Sequence, residues 1–171
     1  MKKAYTLVEL IMAVTIMMIV GVGALMAIST FNNGEKLKAA SDDMAESVRL
    51  AKNYAVTSQL PAGFAAGVSM KYTLITYNAA TFTAQISAVG DDGTTVPYPY
   101  AGKIIDKDVA VAMHNPNDNL MYFAAGTGKL EAFNGSKVDF IGTGTTASVS
   151  LNYQSTNKYL IVNSMGQVNV K

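Results

Sequence analysis

The sequence contains no cysteine and no tryptophan, one arginine (Arg49) and one histidine (His114). The lack of cysteine excludes disulfides, thiolate metal sites and cysteine nucleophiles together. A lone arginine argues against a surface built to grip phosphates, because planar bidentate recognition rests on guanidinium groups. Charge of one sign is scarce as well. Thirteen basic and 12 acidic side chains leave a formal charge of +1, too weak a field to steer nucleic acid or acidic lipid. Only 15% of the residues are charged while 50% are apolar, which excludes the disordered class. A length of 171 residues fits one domain with an appendage. Little room is left for an enzyme.

What is present is concentrated at one end. Leu10 to Ile28 reads LIMAVTIMMIVGVGALMAI, 19 residues with no charge and one hydroxyl, Thr15. A hydrocarbon core about 30 Å thick needs a run of roughly 20 such residues. Lys2 and Lys3 precede it, so the N-terminus is expected to stay cytoplasmic and the remainder to cross. Glu9 stands at the edge of the run. Three readings fit the bare pattern. One is a single-pass anchor with Glu9 at the interface. Another is a secretory signal peptide cut near Ser29, although its apolar core is usually about 7–15 residues. The third is a leader whose basic head is removed ahead of the apolar run, so that the run becomes a packing helix.

Met1-Lys2-Lys3-Ala4 is followed by Tyr5-Thr6-Leu7-Val8-Glu9-Leu10. This resembles the type IV prepilin signature: a short basic leader ending in a small residue, an aromatic residue, Thr-Leu, any residue, and Glu. Ala4 stands where glycine is commoner and Tyr5 where phenylalanine is commoner. The resemblance implies a leader of residues 1–4, cleavage between Ala4 and Tyr5 by prepilin peptidase, and N-methylation of Tyr5. It implies that Glu9 acts in subunit assembly by pairing with the terminal amine of a neighbouring subunit, with Thr6 adding a hydrogen bond nearby. The physics agrees with a paired role. A carboxylate at the centre of a membrane helix costs about 2.5–3.5 kcal/mol, less near the edge, so it usually has a partner. Gly21, Gly23 and Ala24 allow close approach of other helices.

Beyond Ile28 the pattern remains helical. Ser29 to Glu35 is weak, because Asn32, Asn33 and Gly34 are poor helix formers, which allows a bend or a short melt. From Glu35 to Ser58 the apolar residues Leu37, Met44, Val48, Ala51 and Ala55 share one helical face. Lys36, Asp42, Asp43, Glu46, Arg49 and Lys52 take the other side. Joined, the two stretches form one helix of about 50 residues, with Pro61 and Gly63 expected to end it.

From Val68 the period becomes two. Phe82, Ala84, Ile86 and Ala88 alternate with polar residues, as do Val149, Leu151 and Tyr153, and again Val168 and Val170. Such alternation marks half-buried antiparallel strands. Turn signals separate them at Asn78-Ala79, Asp92-Gly93, Gly126 to Gly128, Asn134-Gly135 and Met165-Gly166. Seven or eight strands are expected in one sheet, covered by the Leu37–Ala55 helix face. The fold class is therefore α+β: a long N-terminal helix packed on an antiparallel β head. The expected divisions are the leader at 1–4, a hydrophobic transmembrane or filament-core helix at 5–28, an amphipathic half at 29–60, and the head at 61–171. Ser41–Gln59, Met121–Leu130 and Tyr159–Lys171 resemble the helix end, strand–Gly–strand segment and final hairpin of the GspH/FimT family of minor pilins and pseudopilins. With the leader, they make the type IV pilin fold the expected one.

Other chemistry carries less weight. His114 has no serine and carboxylate at a spacing that suggests a triad. Asp106, Asp108, Asn117 and Asp118 are oxygen ligands of the kind calcium takes. The EF-hand order is absent, so a solvated Asn/Pro turn is the expectation and no cofactor is assigned. Lys129, Lys137, Lys158 and Lys171 are too dispersed to mark a DNA surface. Tyr98-Pro99-Tyr100 is read as loop packing rather than a sticky patch.

The resemblance implies a structural subunit of a filament. A minor pseudopilin of a type II secretion system is favoured, with a pilin of a surface pilus serving adhesion, motility or DNA uptake as the alternative. A membrane-anchored extracellular ligand-binding β domain is the alternative of another class. The implied partners are other pilin or pseudopilin subunits, prepilin peptidase, an inner-membrane assembly platform, and membrane lipid before assembly. The implied location is the bacterial inner membrane, crossed once, with the head on the periplasmic or extracellular side.

Overall fold

The computed structural model describes residues 6–99, 102–114, 120–131, 146–154 and 156–171, including the backbone but not the side chain of His114. The chain forms two compact units, 1–35 and 36–171.

Helix α1 runs from Leu7 to Thr57, 51 residues. It passes unbroken through Asn32–Gly34, where a bend or melt was allowed by composition. The three residues cost roughly 2 kcal/mol relative to alanine. They are flanked by helix on both sides, so only propagation is at stake and not nucleation. In the second unit the buried face of α1 comprises Leu37, Ala40, Ser41, Met44, Ala45, Ser47, Val48, Ala51 and Ala55. All five residues expected on that face are there. The two buried serines are satisfied within the helix, Ser41 donating to the Lys38 carbonyl and Ser47 to that of Asp43.

The helix ends three residues before the expected boundary. Ser58 takes the left-handed conformation, with φ at 48°. Its N–H returns to the Ala55 carbonyl, and the Gln59 N–H to that of Tyr54. A left-handed residue just past the last turn ends a helix whatever follows, so Pro61 is not needed.

The head contains two antiparallel sheets where one was expected. The first consists of β1 (Met70–Asn78), β2 (Thr83–Gly90), β3 (Thr95–Pro97), β4 (Lys103–Ile104), β6 (Leu120–Ala124) and β7 (Leu130–Glu131). Its order is β3-β2-β1-β6-β7, with β4 also paired to β2. The second consists of β5 (Ala110–His114), β8 (Ala147–Tyr153), β9 (Thr156–Val162) and β10 (Val168–Val170), in the order β10-β9-β8-β5. Alternation reports that a strand has one buried face; it does not report which sheet the strand joins. The short β4 and β7 are too brief to carry a period at all.

One core joins α1 to both sheets. Ile75, Ile86, Met121 and Phe123 come from the first sheet, and Met113, Val149, Leu151, Leu160 and Val162 from the second. Burying each large side chain is worth about 1.5–3 kcal/mol, which makes this shared core the main source of stability. Ala84, Ile86 and Ala88 are buried as expected. Phe82 is not in a strand: it has φ at 53° in the β1–β2 turn, where the Asn78 side chain accepts the Ala80 and Thr81 N–H groups. Val170 stays 42% exposed because β10 is an edge strand.

Tyr98 packs inside, stacked on Tyr54 with ring centroids 4.0 Å apart, and donates its hydroxyl to the Gln59 carbonyl. Burial pushes its phenol up to about 12. Tyr100 lies outside the described residues, as does the Asn134-Gly135 turn.

Candidate assembly site

The N-terminal stretch is built around a reciprocal cap. The N–H and Oγ–H of Thr6 both donate to Glu9 Oε2, at 2.9 and 3.0 Å, and the Glu9 N–H donates to Thr6 Oγ at 3.3 Å. Thr-x-x-Glu at a helix start is the capping-box arrangement, in which each side chain satisfies the other's backbone donor. The spacing is legible in Thr6-Leu7-Val8-Glu9, for which the prepilin resemblance implies contacts between subunits. Within the chain they fix the start of α1 and turn the carboxylate back toward the N-terminus. Ala4 and Tyr5, the expected cleavage and methylation positions, lie outside the described residues.

From Thr6 to Asn32 every residue is exposed. The large apolar side chains among them include Leu10, Met17, Ile19, Leu25 and Phe31, each more than 60% exposed. Glu9 is the sole charge in this stretch. The helix is long and apolar enough to cross a membrane. Its hydroxyls are satisfied from its own backbone: Thr15 donates to the Ile11 carbonyl at 2.7 Å, and Ser29 and Thr30 donate to that of Met26 at 2.9 and 3.0 Å. No water is needed to complete these hydrogen bonds, a requirement for any backbone or hydroxyl placed in hydrocarbon. A Cβ added at Gly21 or Gly23 would meet nothing within 4 Å, so both leave open contour on the helix.

In the head, two turns meet the last turns of α1. The Gly126 N–H donates to the Ala55 carbonyl at 2.8 Å, a second donor on the oxygen that the Ser58 N–H already reaches. Gly128 and Gly166 both have positive φ, at 62° and 68°. A Cβ on Gly128 would stand 2.5 Å from Val56 Cγ2, and one on Gly166 would stand 2.7 Å from the Gly128 carbonyl oxygen. These glycines belong to the two segments whose patterns suggested a strand–Gly–strand and a closing hairpin. Both segments form hairpins, β6–β7 and β9–β10.

Of the calcium candidates, Asp106 and Asp108 pair with Lys36, at 3.6 and 3.1 Å, while Asn117 and Asp118 lie outside the described residues. Among the described residues no group of three or more His, Asp or Glu side chains is placed to hold a metal ion. Sequence reasoning missed the pairing of Lys36 with these aspartates, since no local signal links positions so far apart. It also missed Glu131, a 6% exposed carboxyl on β7, which burial pushes above the usual range against the pull of Lys71.

No protein-family model and no curated protein matches the sequence. Among solved structures, the chain is similar to two of the minor pseudopilin EpsH from the type II secretion system of Vibrio cholerae. One has a TM-score of 0.51 at 8% identity, covering 80% of this chain and 96% of that one. The other has a TM-score of 0.52 at 6% identity, covering 80% and 93%. At such identity the likeness is one of architecture, a long N-terminal helix packed on antiparallel β structure, and the fold of this chain is the type IV pilin fold seen in the pseudopilins.

Proposed function

We propose that this chain is a structural subunit of a type IV pilus-like filament, and within that class a minor pseudopilin of a type II secretion system. One observation carries the reading. A helix that exposes apolar side chains from Leu7 to Phe31 is joined to a head of pseudopilin fold. Each large apolar side chain taken from water contributes about 1.5–3 kcal/mol, so this surface drives the chain into a membrane, and packing among like helices follows by shape and by the charge pair described next. Lys2 and Lys3 keep the N-terminus cytoplasmic and send the head across the inner membrane.

In this reading prepilin peptidase cuts after Ala4, and Tyr5 becomes the methylated N-terminus. The new amine is a cation four residues from Glu9. On assembly the Glu9 carboxylate meets the amine of a neighbouring subunit. Attraction between opposite charges grows as water is excluded, so one axial register is favoured over slipped ones. The role is mechanical: the helix enters the filament core and the head forms the surface. Other pilin-like subunits, the peptidase and an inner-membrane platform are the partners.

The test is quantitative mass spectrometry of filaments sheared from native cells, with and without Glu9→Ala. Trace incorporation that the substitution abolishes, with membrane insertion intact, is the expected result. Dominance of this chain in the filament would make it the pilin of a surface pilus. Presence in the membrane but never in a filament would leave a membrane-anchored β domain. Undiminished incorporation of Glu9→Ala would overturn the pairing.

A further inference from the structure

The crossing from β4 to β5 is tied to α1 by two charge clusters of opposite polarity. Near the start of the second unit, Lys36 Nζ donates to Asp108 Oδ2 at 3.1 Å and lies 3.6 Å from Asp106 Oδ2. It also sits 5.2 Å from the centre of the Tyr153 ring. Two to three turns further along α1, the signs are exchanged. Lys103 Nζ, now on the crossing, is 2.9 Å from Glu46 Oε2 and 3.8 Å from Asp43 Oδ1 on the helix. Along α1 the order is cation then anions; along the crossing, taken in the opposite direction, it is anion, anion, cation. Only the observed direction brings unlike charges together. Turned end for end, the crossing would place Lys103 near Lys36.

Between the clusters the crossing has an apolar pin. Ile105 is fully buried and Val109 nearly so, in the same core as Leu37, Ala40 and Met44. Its backbone ties are few. β4 has two residues and is paired to Thr83 and Ala84 of β2. The Ile105 N–H reaches the Phe82 carbonyl at 2.8 Å, and the Val109 N–H closes a turn onto Asp106 at 2.9 Å. All the charged side chains involved are between 35% and 60% exposed. Pairs so exposed are open to screening, since the distance over which charges act falls from about 30 Å at 0.01 M salt to about 3 Å at 1 M.

We propose that Gly102–Val109 is an ionic latch, held on α1 by these two opposed clusters and opening as one piece when they are screened. Opening withdraws Ile105 and Val109 from the core and frees one of the connections between the two sheets. The device belongs to the head alone and does not depend on the function proposed above.

Hydrogen exchange of the full chain in non-ionic detergent tests it. Raising sodium chloride from about 0.01 M to 1 M should speed exchange at the Ile105 and Val109 amides by about fivefold, leaving Ile75 and Ile86 unchanged. The double substitution Lys36→Gln, Lys103→Gln should show the fast rate already at low salt and lose the salt dependence. Lys103→Glu combined with Asp43→Asn and Glu46→Lys, which exchanges the charges and removes the like-charged neighbour, should keep the slow low-salt rate. Salt-independent exchange at Ile105 and Val109 would overturn the latch. So would a salt effect of equal size across the sheets, a salt effect that survives the double substitution, or a charge exchange that fails to keep the slow rate.

Discussion

Lys52 and Met165, 113 residues apart, are joined by a hydrogen bond: the lysine Nζ donates to the methionine carbonyl at 2.8 Å. The aliphatic stem of Lys52 reaches that carbonyl by passing over the two glycines that dock on α1. A Cβ at Gly166 would come within 3.0 Å of Lys52 Cδ, and one at Gly128 within 3.1 Å of its Cγ. Gly166→Ala and Gly128→Ala should each destabilise the head by about 2–4 kcal/mol, combining a strained positive φ with overpacking. Gly166→Ala should be the worse, because its first clash is with a backbone oxygen that no rotamer change can move. Denaturant unfolding of the two variants beside the wild type measures this order.

Met44→Ala removes a fully buried side chain from the centre of the helix face. The loss should be about 2–5 kcal/mol, read as a lower denaturant midpoint at unchanged slope. Val56→Ala, at a position 45% exposed, should lose far less.

Tyr98 makes the head sensitive to alkali. Its phenol is pushed up to about 12 by burial, from an ordinary value of 10.0. The unfolded chain therefore ionises this phenol first, and the native state holds the extra proton. The stability it contributes is fully present below pH 10 and is lost as pH rises toward 12. Tyr98→Phe should abolish that part of the alkaline decline. It should cost about 0.5–1.5 kcal/mol at neutral pH through the lost hydrogen bond to Gln59. Thermal melts between pH 8 and about 12 check both effects.

Glu131 acts in the opposite pH range. Burial raises its carboxyl above 4.5, with the charge of Lys71 opposing. A carboxyl raised in the native state favours folding when protonated, so its contribution is present at low pH and is lost as pH rises through the folded value. At neutral pH the ionised group is a cost. Glu131→Gln should raise the melting temperature at pH 7 and leave a smaller difference at pH 4, as scanning calorimetry at both would show.

Thr6→Ala removes the hydroxyl from both of its hydrogen bonds with Glu9. The first turn of α1 should fray, at a cost of about 0.5–2 kcal/mol, while the helix from Val14 onward is unchanged. Amide exchange at Leu7 to Leu10 in micelles would register the change, and Thr6→Ser should restore the wild-type pattern.

The helix was legible because its information is local. Leu37, Met44, Val48, Ala51 and Ala55 sit at spacings that only a helix brings to one side, and all five are buried. The two pattern-poor strands, β4 and β7, have two residues each and offer no period to read. The division into two sheets requires the chain to change sheet between β4 and β5, between β5 and β6 and between β7 and β8, a relation set by packing against distant residues such as Ile105 and Val109 make. Likewise Lys36 finds Asp108 across 72 residues, and no composition or spacing announces such a pair. The end of α1 shows the reverse case. Pro61 gives the strongest written stop, yet Ser58 has already left the helix by taking the left-handed conformation, and the remote Gly126 N–H joins the Ser58 N–H on the Ala55 carbonyl.

Thr15, Ser29 and Thr30 spend their hydroxyls on the carbonyls of their own helix. Between Leu10 and Thr30, that leaves nothing on the surface able to tell one neighbour from another by chemistry. Lipid tails and foreign helices offer it the same kind of contact, so exchanging one for the other changes little energy per residue. Only contour is left to discriminate, in the gaps at Gly21 and Gly23 that a well-shaped neighbour fills and a loose acyl chain does not.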